Sequence, residues 1–223
     1  MTGTTDIGTE IHDGVTVIRM DAVDNQFTPP FLDSLHETIT IAERRPGPTA
    51  IVLTGGGRTF SHGIDLDWAQ GAGPEATDGL VAQMHALFLR LLTGPLTTVA
   101  AINGHAFGGG AMLALACDQR VMRADRGWFC LPEVDFRLPF TPGMTALIRR
   151  RLGDLRAHEA MLTGRRYGGT EAAKLGIVDE AVAYEEVVPC AVLRARALAD
   201  KDRAAVAAIK ATLYADVAAA LAA

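Results

Sequence analysis

This sequence predicts an α/β fold, and three observations carry the prediction. Short apolar runs bounded by glycine alternate with amphipathic stretches through the first two-thirds of the chain. Two glycine-containing turns each lead from an apolar run into a helix, and from Met144 onward the pattern is mainly helical. No low-complexity linker divides the 223 residues, so a single domain over 1–223 is expected. Within it, an α/β core runs to about residue 142, and a helical region fills 143–223, covering the sheet or a neighbouring subunit.

The elements follow in order. Thr9 to Met20 alternates apolar and polar residues around Asp13-Gly14, a dipeptide that favours a tight turn, which predicts a β-hairpin. Phe31, Leu35, Ile39 and Ala42 recur at helical spacing up to Arg44, and Pro46 stops that helix. Ala50 to Thr54 is an apolar run closed by Gly55-Gly56-Gly57 and reads as a buried strand. A surface stretch is expected near Gly71 to Pro74, then a helix over Leu80 to Leu92 and a second buried strand over Thr97 to Ile102. Asn103 to Gly110 then opens a helix over Ala111 to Cys117. Later, Thr170 is placed to cap the start of a helix that Gly176 ends. The alanine-rich segment Ala204 to Ala223 sets Val206, Ile209, Leu213 and Val217 on one stripe that calls for a partner surface.

Composition narrows the function classes. Hydrophobic residues make up 49% and charged residues 21%, as in ordinary globular proteins. No apolar run reaches the roughly eighteen residues of a membrane span, and Met1 to Glu10 lacks a basic region followed by an apolar stretch. A cytoplasmic protein with no membrane partner is therefore expected. The formal charge is −5 with scattered Lys and Arg, so no nucleic-acid partner is expected, although a small anionic ligand fits. Cys117, Cys130 and Cys190 are odd in number and have no metal-ligand spacing; they read as reduced and structural, with no metal site.

Two turns carry the chemistry: Phe60-Ser61-His62-Gly63-Ile64-Asp65-Leu66 and Phe107-Gly108-Gly109-Gly110-Ala111. Each sets backbone N–H groups at the start of a helix, where the partial positive charge favours a developing anion. A Gly-Gly-Gly turn alone is a common structural device, whereas the pair is far more specific.

In these two turns the sequence resembles the crotonase (enoyl-CoA hydratase/isomerase) superfamily, with Phe-Ser-x-Gly-x-Asp-Leu followed by Asn-Gly-x-Ala-x-Gly-Gly-Gly. Further matching landmarks are Asn25, Cys117-Asp118, Leu131-Pro132-Glu133, Leu162-Thr163-Gly164 and Ala172 to Asp179, so the resemblance spans nearly the whole chain. It implies a crotonase-like spiral of ββα units with a C-terminal helical region, a homotrimer or dimer of trimers, and an acyl-CoA thioester held between the two turns. No cofactor is implied beyond the coenzyme A of the substrate.

Carried over by the resemblance, the backbone N–H groups of His62 and Gly109 would stabilise an enolate oxygen, and Glu133 would be the catalytic carboxylate, on a strand facing the acyl group. Ser61, Gly63, Ile64, Asp65 and Leu66 in the first turn, with Gly108 and Met112 in the second, would contact substrate. Leu138, Pro139, Phe140 and Met144 would line the acyl pocket or serve the core. Met112 is the principal departure, because hydratases of this family carry a second glutamate there. The stretch from Arg120 to Asp135 looks more like the monofunctional enoyl-CoA Δ-isomerases, including the plant peroxisomal group, which use one glutamate.

Several readings stay open at this stage. Glu133 could be a surface glutamate in a turn, and the His62 imidazole, exposed beside CoA, could be idle. Asp65 and Asp118 read as caps. Asp135 would share the face of Glu133 if the strand continued. His85 and His105 have no partner at a diagnostic spacing. Acidic Asp21 and Asp24 stand where many relatives place a basic residue before Asn25, and Lys210 could meet a CoA phosphate or be a solvated surface lysine. The leading expectation is isomerisation of 3-enoyl-CoA to 2-enoyl-CoA. Alternatives are a weak hydratase, a decarboxylase, an acyl-CoA thioesterase, or a non-catalytic acyl-CoA-binding relative.

Overall fold

A computed structural model describes residues 7–223. The expectation about Met1 to Glu10 falls partly outside those residues. The predicted hairpin forms from β1 (Ile7–His12) and β2 (Val15–Met20), antiparallel about Asp13-Gly14. β1 is an exposed edge, and β2 continues into a mainly parallel sheet through β4 (Ala50–Gly55), β7 (Thr97–Ile102), β9 (Gln119–Arg123) and β11 (Glu180–Val182). β2, β4 and β7 are buried almost along their whole length because helices cover both faces of the sheet there. Val15, Val17, Ala50, Val52, Val99, Ala101 and Val121 pack with Val187, Ala191 and Ala195 of α8 (Val187–Arg196). The alternate residues, such as Ile18, Ile51, Leu53, Ala100 and Ile102, face the main core.

A second, smaller layer sits across the ends of that sheet. It contains β10 (Phe129–Cys130), β8 (His105–Phe107) and β5 (Thr59–Ser61), with β3 (Gln26–Phe27) paired to β6 (Gly63–Ile64) beside it. A long strand, a short strand and a helix then recur. β2 and β3 lead to α1 (Pro29–Glu43); β4, β5 and β6 lead to α2 (Leu66–Ala72) and α3 (Pro74–Thr93); β7 and β8 lead to α4 (Gly109–Ala116). β9 and β10 are followed by α5 (Pro142–Leu152). This is the spiral of ββα units that the resemblance implied.

The C-terminal part is helical, with α6 (Asp154–Thr163), α7 (Gly169–Lys174), α8, α9 (Arg203–Leu213) and α10 (Ala215–Ala222). Gly71 to Pro74 lies at the surface, as expected, and forms the junction of α2 and α3 at Gly73. Three local expectations are corrected. Thr170 lies inside α7 with no capping hydrogen bond, although Gly176 does close the helix, where the Ile177 N–H returns to the Ala172 carbonyl at 2.9 Å. Ala204 to Ala223 is two helices bent by 76°, because Tyr214 is buried and its hydroxyl is pinned by Arg151 at 2.6 Å. Val217 therefore turns into the core while Ile209 and Leu213 stay exposed.

Lys210 is the third correction. It is neither at the surface nor available to a phosphate. Its ammonium donates to the carbonyls of Leu91 and Leu96, both at 3.1 Å, and to Asp118 Oδ2 at 2.8 Å, which uses all three of its hydrogens. Among the described residues, no single helix is long and apolar enough to cross a membrane.

Candidate active site

The first turn is built around buried Asn25. Its amide donates to the carbonyls of Thr59 at 3.2 Å and Phe60 at 3.0 Å, while its own carbonyl accepts the Ser61 hydroxyl at 2.7 Å. The Gly63 N–H donates to Ser61 Oγ at 3.1 Å. Ser61 is thus fully buried and committed to holding the turn, so it does not contact the cleft as expected.

His62 requires a second correction. Its backbone N–H donates to the Asp24 carbonyl at 3.0 Å and is not free for a ligand. In a parallel ladder only alternate N–H groups of a strand face a given neighbour. Ile64 pairs with Phe27, and the Asp65 N–H donates to the Phe27 carbonyl at 3.2 Å, so the Ile64 N–H points the other way. Gly63 (φ 76°) allows that strand to approach the second turn, and a methyl group on it would lie 2.5 Å from the Gly109 nitrogen. The two free donors that the fold brings together are therefore those of Ile64 and Gly109. Gly109 is the first residue of α4, where N–H groups lack partners inside the helix.

Glu133 lies just past β10, in a turn running to Arg137 and not on a strand; the Leu138 N–H returns to the Glu133 carbonyl at 2.9 Å. Its carboxylate rests over Gly108, where a methyl group would come within 3.1 Å of Oε1. Glu133 Oε2 is buried without a hydrogen-bond partner. Burial pushes this carboxyl up to about 7, partly opposed by the residue's own backbone hydrogen bond. Because the strand ends at Cys130, Asp135 does not share a face with Glu133; it is exposed, beside Gly164.

A cleft of about 230 Å³ opens between the turns. His62, Ile64, Leu66, Gly108, Gly109, Met112, Glu133, Leu138, Pro139 and Met144 line it, as expected from the sequence. Gly63, Asp65 and Phe140 do not, which corrects their placement. Gly63 is covered by the second turn, Phe140 packs against the core, and Asp65 caps α2 by accepting the Trp68 N–H at 2.9 Å. Asp118 fixes β7 by accepting the N–H and hydroxyl of Thr98 at 2.8 and 3.1 Å. Sequence reasoning missed Ala69 on α2, Thr77, Val81 and Met84 on α3, Phe136 and Thr141. Extending the α3 stripe back from Met84 through Val81 to Thr77 would have found three of them. Glu133 is the only carboxylate lining the cleft among the described residues.

The His62 ring is half-buried. It stacks on Phe107 at 5.3 Å and meets His105 edge-on at 6.0 Å, with Asp24 3.8 Å away. His105, which showed no partner in the sequence, belongs to this cluster. Burial holds its pKa below the ordinary value, reinforced by His62, Arg166 and Arg126.

The family model for enoyl-CoA hydratase/isomerase matches residues 10–223. Enoyl-CoA delta isomerase 3 of Arabidopsis thaliana is 39% identical over 69% of this chain and 67% of its own length. Peroxisomal enoyl-CoA delta isomerase 2 of the same plant is 40% identical over 60% of this chain, a match spanning only 58% of that relative. Among solved structures, a probable enoyl-CoA hydratase from Mycobacterium tuberculosis superposes with a TM-score of 0.90 at 29% identity, covering 96% of this chain and 91% of that one. Human mitochondrial delta3-delta2-enoyl-CoA isomerase gives 0.88 at 27% identity, covering 96% and 84%. With its ββα spiral, paired turns and family match, this chain belongs to the crotonase superfamily, the enoyl-CoA hydratase/isomerase family.

Proposed function

We propose that this chain isomerises 3-enoyl-CoA to 2-enoyl-CoA. The observation that carries the reading is a single buried carboxylate with a free oxygen, Glu133, over the glycine turn, in a cleft where Met112 offers no second acid. The Glu133 carboxylate takes a proton from the α-carbon of the thioester. The electron pair moves into a dienolate whose oxygen receives the N–H groups of Ile64 and Gly109, and the proton returns from Glu133 to the γ-carbon. A carboxyl poised near 7 both accepts and returns a proton at neutral pH. Hydration is better served by two carboxylates that position water and exchange its proton, so the thioether of Met112 favours isomerisation.

The exposed Ile209 and Leu213 on α9 support assembly with further copies, for which a homotrimer or dimer of trimers is the proposed form. The test of the reaction supplies a 3-enoyl-CoA and a 2-enoyl-CoA separately, following bond migration and water addition by chromatography. Isomerisation of the first, reduced about 10²- to 10⁴-fold in Glu133→Gln, with slow or absent hydration of the second, is expected. Hydration without isomerisation would defeat the proposal.

A further inference from the structure

The walls of the cleft are apolar around Val81, Met84, Met112, Leu138 and Met144, yet one hydroxyl is set among them. Thr141, the residue before α5, accepts the Met144 N–H at 3.1 Å, and its oxygen lies 2.9 Å from His85 Nε2. His85, on α3, lies behind this wall and does not line the cleft. Thr77, the other threonine of the cleft, has its hydroxyl spent on the carbonyls of Gly73 at 2.9 Å and Ala69 at 3.2 Å.

The Thr141 hydroxyl has one hydrogen and two acceptor positions. The Met144 N–H takes one acceptor position, and His85 Nε2 takes one more place whichever of the two carries the shared proton. One position of the hydroxyl remains, and Thr141 borders the cleft.

We propose that Thr141, oriented by His85, is the polar anchor of the acyl cleft and selects acyl chains that carry a hydroxyl group. The remaining position pairs with an O–H, which can both donate and accept, and has nothing to offer an alkyl group. Thr141 is thus a specificity-determining residue, and His85 is a positioning residue that acts through it. The inference rests on the acyl-CoA reading above and extends it to the substrate class.

The test measures dissociation constants for saturated acyl-CoA thioesters of graded length, each with and without a terminal hydroxyl, so that no turnover is required. At one chain length the hydroxyl should tighten binding about 3- to 10-fold, and at the other lengths it should weaken it. Thr141→Ser should keep that preference. Thr141→Val and His85→Phe should abolish it, and the with-to-without ratio within each variant cancels any general loss of folding. A hydroxyl that weakens binding at every length in the wild-type chain, or a preference that survives Thr141→Val, overturns the inference while leaving the acyl-CoA reading intact. If none of the thioesters binds, the acyl-CoA reading itself falls and takes this one with it.

Discussion

Helix α4 is treated in opposite ways at its two ends. At the C-terminal end the residues that follow the helix, Cys117 and Asp118, are answered by cations. The Cys117 carbonyl accepts from Arg120 at 3.1 Å and Arg151 at 2.6 Å, the Asp118 carbonyl accepts from Arg151 at 2.8 Å, and the Asp118 carboxylate receives Lys210. At the N-terminal end the Gly109 N–H starts the helix with no partner inside it, and Glu133 Oε2 is buried without one. Cations meet the negative end of the helix, while the positive end is left open beside the cleft. The answered end holds the fold together, and the open end lines the cleft.

Breaking each end should therefore have different consequences. Lys210→Met leaves the half-buried Asp118 and the carbonyls of Leu91 and Leu96 without their cation, and a loss of about 3 kcal/mol in unfolding free energy is expected in denaturant titrations. Where the variant is still folded, its rate in the proposed isomerisation should match that of the wild type. Adding Asp118→Asn should recover part of the loss, because the stranded charge is removed as well.

The opposite end should become more stable when its chemistry is removed. Glu133 titrates near 7 when folded, above its ordinary 4.5, so between those values the folded chain keeps a proton that the unfolded chain has lost. Stability accordingly falls as pH rises through that window, and the full cost is present above it. Near pH 8, Glu133→Gln should be more stable than the wild type by about 2 kcal/mol, whereas near pH 4 the two should unfold alike. Equal stability at both pH values would show that the carboxylate is solvated.

Smaller effects sharpen the comparison. Gly108→Ala places a methyl group 3.1 Å from Glu133 Oε1 at a backbone φ of 51°, and a rate loss of about 10- to 100-fold is expected from the displaced carboxylate. His62→Ala should change the rate less than about threefold, since the backbone N–H of that residue serves the Asp24 carbonyl in either chain. A large loss there would give the imidazole a role in the reaction.

Much of this architecture was legible in the sequence. Ala50 to Gly55 and Thr97 to Ile102 form buried strands close to where their apolar runs lie, since a strand covered on both faces writes its burial directly into composition. Gly108, Gly109, Met112 and Glu133 meet at the cleft because glycine turns and flanking motifs are local signals. The choice between His62 and Ile64 was not local. Which N–H is free depends on how β6 registers against β3, a contact made with residues 37 positions earlier in the chain, as in Phe27↔Ile64. Lys210 was unreadable for a similar reason, since its partner Asp118 lies 92 residues away. The break at Tyr214 depends on Arg151, 63 residues earlier. Composition alone gave Ala204 to Ala223 no reason to bend.

The central claim is that Glu133, buried and unpaired at the open end of α4, is the group that moves the proton. The pH dependence of kcat/KM for 3-enoyl-CoA isomerisation, measured between about pH 5 and pH 9, tests it most directly. The account predicts a tenfold rise per pH unit on the acidic side, levelling off near pH 7, and no such rise in Glu133→Gln. A flat profile, or one that Glu133→Gln leaves unchanged, would contradict it.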